Sequence, residues 1–181
     1  MKNILIRLTL LATVSVFDVN ANANEIKDEA TDIHGGLQAE IIINATASEI
    51  WPYLLDRGAF DEKMYVNVSG EPNKENEVLG VYRQSANPET SPPLMLITAV
   101  RIIPEKLLMY VQYAKDGSTY GFYIYTLDEQ DGKTKVTVIN GRTVRGLSEE
   151  GFETDFKAHV ENSQQAWRER VLPRLKQLVE K

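Results

Sequence analysis

The chain has 181 residues with 20 Lys and Arg against 26 Asp and Glu, a formal charge of −6. That balance argues against a general affinity for nucleic acid or anionic lipid. It contains no cysteine, so thiolate metal sites and disulfide staples are excluded and stability must come from packing.

The first residues read as an export signal. Lys2 and Arg7 give a positive start, Ile4 to Phe17 form an apolar run too short to span a bilayer, and Ala21-Asn22-Ala23 is a small-residue cleavage pattern, placing the cut after Ala23. A short N-terminal core helix is the other reading, but Asp18 spoils the end of the apolar run. Removing residues 1–23 takes away Lys2, Arg7 and Asp18, leaving 18 bases, 25 acids and a charge of −7. The expectation is a periplasmic or secreted protein with no stable membrane insertion after cleavage. The 158 residues beyond the cut are enough for one domain with one core.

Residues 24–36 are polar, end in Gly35-Gly36 and suit a flexible leader. Leu37 to Asn44 then form the first strand. Thr46-Ala47-Ser48-Glu49 has the capping-box form and predicts a short helix to about Leu55, with Pro52 inside it pulling the start toward Ser48. A second helical turn is weakly signalled around Ala59 to Met64. Beyond Tyr65 the pattern becomes a meander, with strands near 65–70, 78–85, 94–103, 107–114, 119–128 and 133–143. Asp116-Gly117 and Asp131-Gly132 are the clearest hairpin signals, because Asp-Gly supplies positive φ. From about Ser148 to Glu180 an apolar stripe through Phe156, Val160, Ser163, Trp167, Val171, Leu175 and Leu178 predicts one long helix. Pro173 predicts a kink just before it.

A seven-stranded sheet and one long amphipathic helix must bury a face of each against the other, and a sheet curved round the helix encloses a hollow. The run from Ala39 to Trp51, the hairpin from Tyr125 to Thr137, and a final helix holding Trp167 and Leu172-Pro173 resemble the START/polyketide-cyclase-like superfamily over roughly residues 37–180. The resemblance implies an α+β helix-grip fold: a curved seven-stranded antiparallel sheet wrapped around a long C-terminal helix, with short helices after strand one, occupying residues 37–181. It also implies an internal pocket for lipids, quinones, polyketides or similar molecules. Carriers, hormone receptors, cyclases, dehydratases and co-chaperones share this pattern, so the enzyme question stays open.

With Leu127 facing inward, strand alternation puts Tyr125, Tyr123, Val136, Val138, Asn140 and Arg142 on the concave face. Tyr110 and Gln112 join from the neighbouring strand, and Phe156, Gln164, Trp167 and Val171 from the helix. The ligand-binding candidates are therefore Tyr110, Gln112, Tyr123, Tyr125, Asn140, Arg142, Phe156, Gln164 and Trp167. Each has an ordinary structural explanation: sheet tyrosines with surface hydroxyls, a solvated strand end for Asn140 and Arg142, plain core for Trp167.

His34 and His159 are the only histidines, in the leader and on the helix, so no imidazole metal site is expected. No phosphate-cradling loop, nucleophile elbow or dinucleotide fingerprint occurs, and no cofactor is called for. Glu149, Glu150, Glu153 and Asp155 read as a solvated helix start beside Arg142 and Arg145, without the oxygen spacing of a calcium loop. The sequence thus points to a binder or carrier of a hydrophobic small molecule. The alternatives are a cyclase- or dehydratase-like enzyme using a tyrosine-arginine pocket, and a protein-interaction module without a ligand.

Overall fold

A computed structural model describes residues 33–114, 119–144 and 157–181, with side chains at 36–114, 120–141 and 160–181. Seven antiparallel strands form one sheet in the order β1-β7-β6-β5-β4-β3-β2. They are β1 (Ile33–Ile43), β2 (Lys63–Ser69), β3 (Val78–Arg83), β4 (Met95–Ile103), β5 (Leu107–Tyr113), β6 (Thr119–Gln130) and β7 (Lys133–Val144). Two helices, α1 (Ala47–Leu55) and α2 (Gly58–Asp61), carry the chain from β1 at one edge to β2 at the other. The α+β architecture read from the sequence is the one observed.

The β6–β7 hairpin shows why the order is so regular. Asp131 and Gly132 take φ of 53° and 71°, the left-handed pair that a two-residue turn requires. The register that follows sets Tyr125 opposite Val138 and Tyr123 opposite Asn140. Leu127, Tyr125, Tyr123, Val136, Val138 and Asn140 are all buried, so the concave face is the one that alternation predicted.

The first strand begins at Ile33, four residues before its expected start, and takes in Gly35 and Gly36. Pairing with the long β7 overrides the local signal: Gly36 lies opposite Gly141, where an added Cβ would stand 3.2 Å from the Asn140 carbonyl oxygen. Helix α1 starts at Ala47, not Ser48. The Glu49 N–H donates to the Thr46 hydroxyl at 3.4 Å and the Thr46 N–H to the Glu49 carboxylate at 2.8 Å. The Ala47 N–H donates to the Glu129 carboxylate at 2.8 Å, so a strand residue adds a second cap. Three satisfied donors hold the N-terminus where it is and leave Pro52 in the second turn.

The terminal helix is described as α3 (Lys157–Ala166), a π-helical stretch Trp167–Val171 and α4 (Leu172–Val179). Just before Pro173, where the sequence predicts a kink, the chain widens by one π turn. The Leu172 N–H reaches the Trp167 carbonyl, and Pro173 falls in the first turn of α4, where its missing N–H costs little. The predicted helix start at 148–156, with the acidic cluster, and the Asp116-Gly117 turn lie outside the described residues.

The helix runs along the free edge of β1. Arg168 Nη2 donates to the Gln38 carbonyl at 3.3 Å, Lys176 Nζ to the Ile42 carbonyl at 2.9 Å, and the Asn44 N–H to the Glu180 carboxylate at 2.6 Å. These contacts occupy backbone groups that an edge strand leaves open to other chains. Beneath them, Trp167, Val171, Leu172 and Leu175 enter the core with Ile43, Ile50, Leu54, Phe60 and Ile97.

Candidate functional site

The inner face of β5 and β6 is aromatic. Tyr110 pairs with Tyr123, Tyr125 lies two residues further along β6, and all three are buried. Trp167 comes down on them from the helix, with ring centres 6.3 Å from Tyr123 and 6.1 Å from Tyr125. The reading of these tyrosines as sheet residues with surface hydroxyls does not hold for Tyr110 and Tyr125, at 1% and 0% exposure. The helix covers them.

Opposite this cluster stands Arg57, which the sequence reading passed over. It sits just before α2, is 3% exposed, and its guanidinium carbon lies 4.9 Å from the ring centre of Tyr65, 5.2 Å from Tyr110, 5.1 Å from Tyr123 and 5.4 Å from Tyr125. Four ring faces thus surround one cation. Asp61, one helical turn on, stands 3.8 Å from Arg57 Nη2, longer than a hydrogen bond. The Asp61 carboxylate is engaged elsewhere, accepting from the Tyr65 hydroxyl and from the Lys63 N–H at 3.1 Å.

Burial, the largest influence, opposes the charge on Arg57, yet the guanidinium stays protonated with the Asp61 carboxylate beside it. Burial pushes the phenols of Tyr65, Tyr110 and Tyr125 above the usual tyrosine value, although Arg57 pulls each of them down. At neutral pH these three side chains are therefore hydroxyls and not phenolates.

Five buried polar atoms in this region have no protein partner: Nε and Nη1 of Arg57, both amide atoms of Gln112, and the Tyr125 hydroxyl. Gln112 occupies the next inward position on β5 after Tyr110, and its partner across the ladder is Gly121, which adds no side chain to the inner face. Buried groups of this kind ordinarily find partners, and these five have none in the protein.

The nine candidates divide accordingly. Tyr110, Tyr123 and Tyr125 converge on Arg57, Trp167 packs on the last two, and Gln112 shares the inward face of β5 with Tyr110. Asn140 is buried beside them but committed, its amide donating to the Phe122 carbonyl at 3.0 Å, so it is neither a solvated strand end nor uncommitted. Gln164 is half-buried on α3. Arg142 holds its place in β7 opposite Gly35 and Gly121, with its side chain outside the described residues, as is Phe156 altogether. Arg57, Asp61 and Tyr65 are the additions. The available signal was the four-residue spacing of Arg57 and Asp61 around Phe60, which equally describes an exposed helical ion pair. On the outer side of Tyr65, an open depression of about 450 Å³ is lined by Asp56, Gly58, Lys63, Met64, Tyr65 and Gln84. Among the described residues no group of three or more metal-ligating side chains occurs, and no helix is long and apolar enough to cross a membrane.

No protein-family model matches the sequence, and no curated protein matches it significantly. Solved structures do match by shape. An uncharacterised protein from Rhizobium leguminosarum is 13% identical, with 84% of this chain and 99% of that chain covered at a TM-score of 0.55. Norcoclaurine synthase from Thalictrum flavum, solved as a point mutant with a transition-state analogue, is also 13% identical, covering 84% and 98% at a TM-score of 0.55. The Aha1 dimer from Colwellia psychrerythraea is 14% identical, covering 81% and 94% at 0.51. At such identities the likeness speaks for the fold alone. Strand order, the short helices after β1 and the terminal helix laid along the sheet together give this chain the helix-grip fold.

Proposed function

We propose that this chain is an exported binding or carrier protein that holds a largely apolar small molecule between the sheet and the terminal helix. The observation that carries the reading is the set of unpartnered buried polar atoms on Arg57, Gln112 and Tyr125, set among aromatic rings and beside the side-chain-free position Gly121. Burial of the guest's apolar surface supplies the affinity, at about 25 cal/mol per Å² before ordering costs. The polar atoms orient it. A fold shared with a synthase solved around a transition-state analogue supports small-molecule binding. Support for export comes from the charged start, apolar run and Ala21-Asn22-Ala23 pattern.

Expression of the full chain with its leader, followed by solvent extraction of the purified protein and mass spectrometry, tests both parts. The expected result is a mature N-terminus at Asn24 and a co-purifying lipid, quinone or polyketide-like compound. Repeatedly empty protein, with no melting shift on adding such compounds, overturns the binding reading. An unprocessed leader overturns export.

A second reading, an enzyme of the cyclase or dehydratase kind, is favoured by the contact of Arg57 with Tyr125, since a protonated phenol beside a guanidinium is a fit donor pair for enolate charge. Conversion of an extracted compound on prolonged incubation, lost in Tyr125→Phe while binding persists, would establish it.

A further inference from the structure

The balance of buried charge around Arg57 narrows the chemistry of the guest, given the binding reading just proposed. Among the described residues Arg57 is the buried cation, and Asp61 stands 3.8 Å from it with the two side chains only 3% and 4% exposed. A second acid, Glu77, is also 3% exposed and joins burial in raising the Tyr110 phenol. Glu77 is taken up by its own donors, the Asn67 amide at 3.0 Å and the Asn73 N–H at 2.8 Å. The ring faces turned toward Arg57 add further negative potential. The cation is therefore already balanced, yet its hydrogen bonds are not: Nε and Nη1 have no partner, and Nη2 has only a long contact.

These two facts pull apart the usual pairing of arginine with acids. A carboxylate entering here would be a second one beside a guanidinium that Asp61 already faces, losing its hydration with no free counter-charge among the described residues to replace it. A neutral ligand oxygen would accept charge-assisted hydrogen bonds from the same N–H groups at no such cost. The Tyr125 hydroxyl and the Gln112 amide, both unpartnered, add further donors suited to a carbonyl. We infer that the site takes an uncharged ligand through a ketone- or quinone-type carbonyl oxygen, and that Asp61 is the residue that excludes the corresponding acid.

The test uses matched probes on the purified mature chain at neutral pH: 2-acetylnaphthalene, 2-naphthoate and 2-ethylnaphthalene, and the parallel set 2-tridecanone, dodecanoate and tridecane. In at least one set the ketone should bind ten times tighter than the acid and the hydrocarbon. Asp61→Asn should strengthen binding of the acid at least tenfold, because it leaves Arg57 unbalanced. Should Asp61→Asn fail to fold, as judged by circular dichroism and melting, Arg57→Gln combined with Asp61→Asn removes both charges together. The double variant should lower the ketone-to-hydrocarbon ratio to about one. Acid binding as tight as ketone binding in the unmodified protein overturns the inference and leaves the binding reading standing, as does a ratio unmoved by the double variant. Failure of every probe, together with an empty solvent extract, overturns both.

Discussion

At Tyr125 a single hydroxyl divides stability from the proposed recognition. It is buried without a partner, and such a group costs about 1–3 kcal/mol of desolvation. Tyr125→Phe should therefore leave the melting temperature of the ligand-free protein unchanged or raised, while ligand affinity falls severalfold. Calorimetry with and without the extracted ligand checks both halves. The raised phenols of Tyr65, Tyr110 and Tyr125 also set a pH dependence. Their native values lie above the unfolded value of about 10, so the unfolded state loses protons first as pH rises. The stability they contribute is complete below about pH 10 and is lost on raising the pH through their native values. Urea midpoints measured from pH 8 to 11 should fall more steeply in the unmodified protein than in Tyr125→Phe. An equal slope would show that this tyrosine is not involved. The tyrosines were legible as inward residues because a strand alternates strictly. Arg57 was not, since a charged residue beside a weakly signalled helical turn carries no mark of burial in the sequence.

The terminal helix shows at the scale of an element what a proline signal can and cannot say. Pro173 marks a departure from α geometry, but the residue does not say that the missing N–H is accommodated by a π turn. The contacts of Arg168 and Lys176 with β1 and the burial of Trp167 and Val171 set the phase of the helix, and the inserted turn keeps both in place. An ordinary helix gains about 3 kcal/mol when an interior proline becomes alanine. Here Pro173→Ala should change stability by less than about 1 kcal/mol in urea denaturation, because the π turn already accommodates the residue. A gain near the full value would mean that the turn is imposed by the proline alone. At the other end of the domain, the capping box of Thr46 and Glu49 was plain from four residues, whereas the cap from Glu129 to Ala47 joins positions 82 apart and depends on the sheet.

For the molecule as a whole, the proposed binding site and a stable core share one face of the sheet. Gly121 separates the two demands, since it faces inward opposite Gln112 and gives nothing to the packing. Gly121→Val adds a β-branched side chain there, which strands favour. It should keep or raise the melting temperature and abolish retention of the co-purified ligand in solvent extracts. A ligand retained in full would move the guest away from the Gln112 end of the face.

What could be read from the chain alone was local and periodic: a hairpin at Asp131-Gly132, a capped helix at Thr46, alternating strands, and an amphipathic C-terminal stripe. These depend on neighbours within a few residues, where side-chain chemistry and backbone geometry act directly, and the family resemblance rested on the same features. Tertiary structure decided what those elements enclose. Only the docking of the α1–α2 connection under the sheet places Arg57 against tyrosines 8 to 68 residues away and brings Asp61 to 3.8 Å from its guanidinium. The charge balance and the unpartnered donors follow from that meeting, because electrostatics in a buried site depend on distance in space and on excluded water, and neither is written along the sequence.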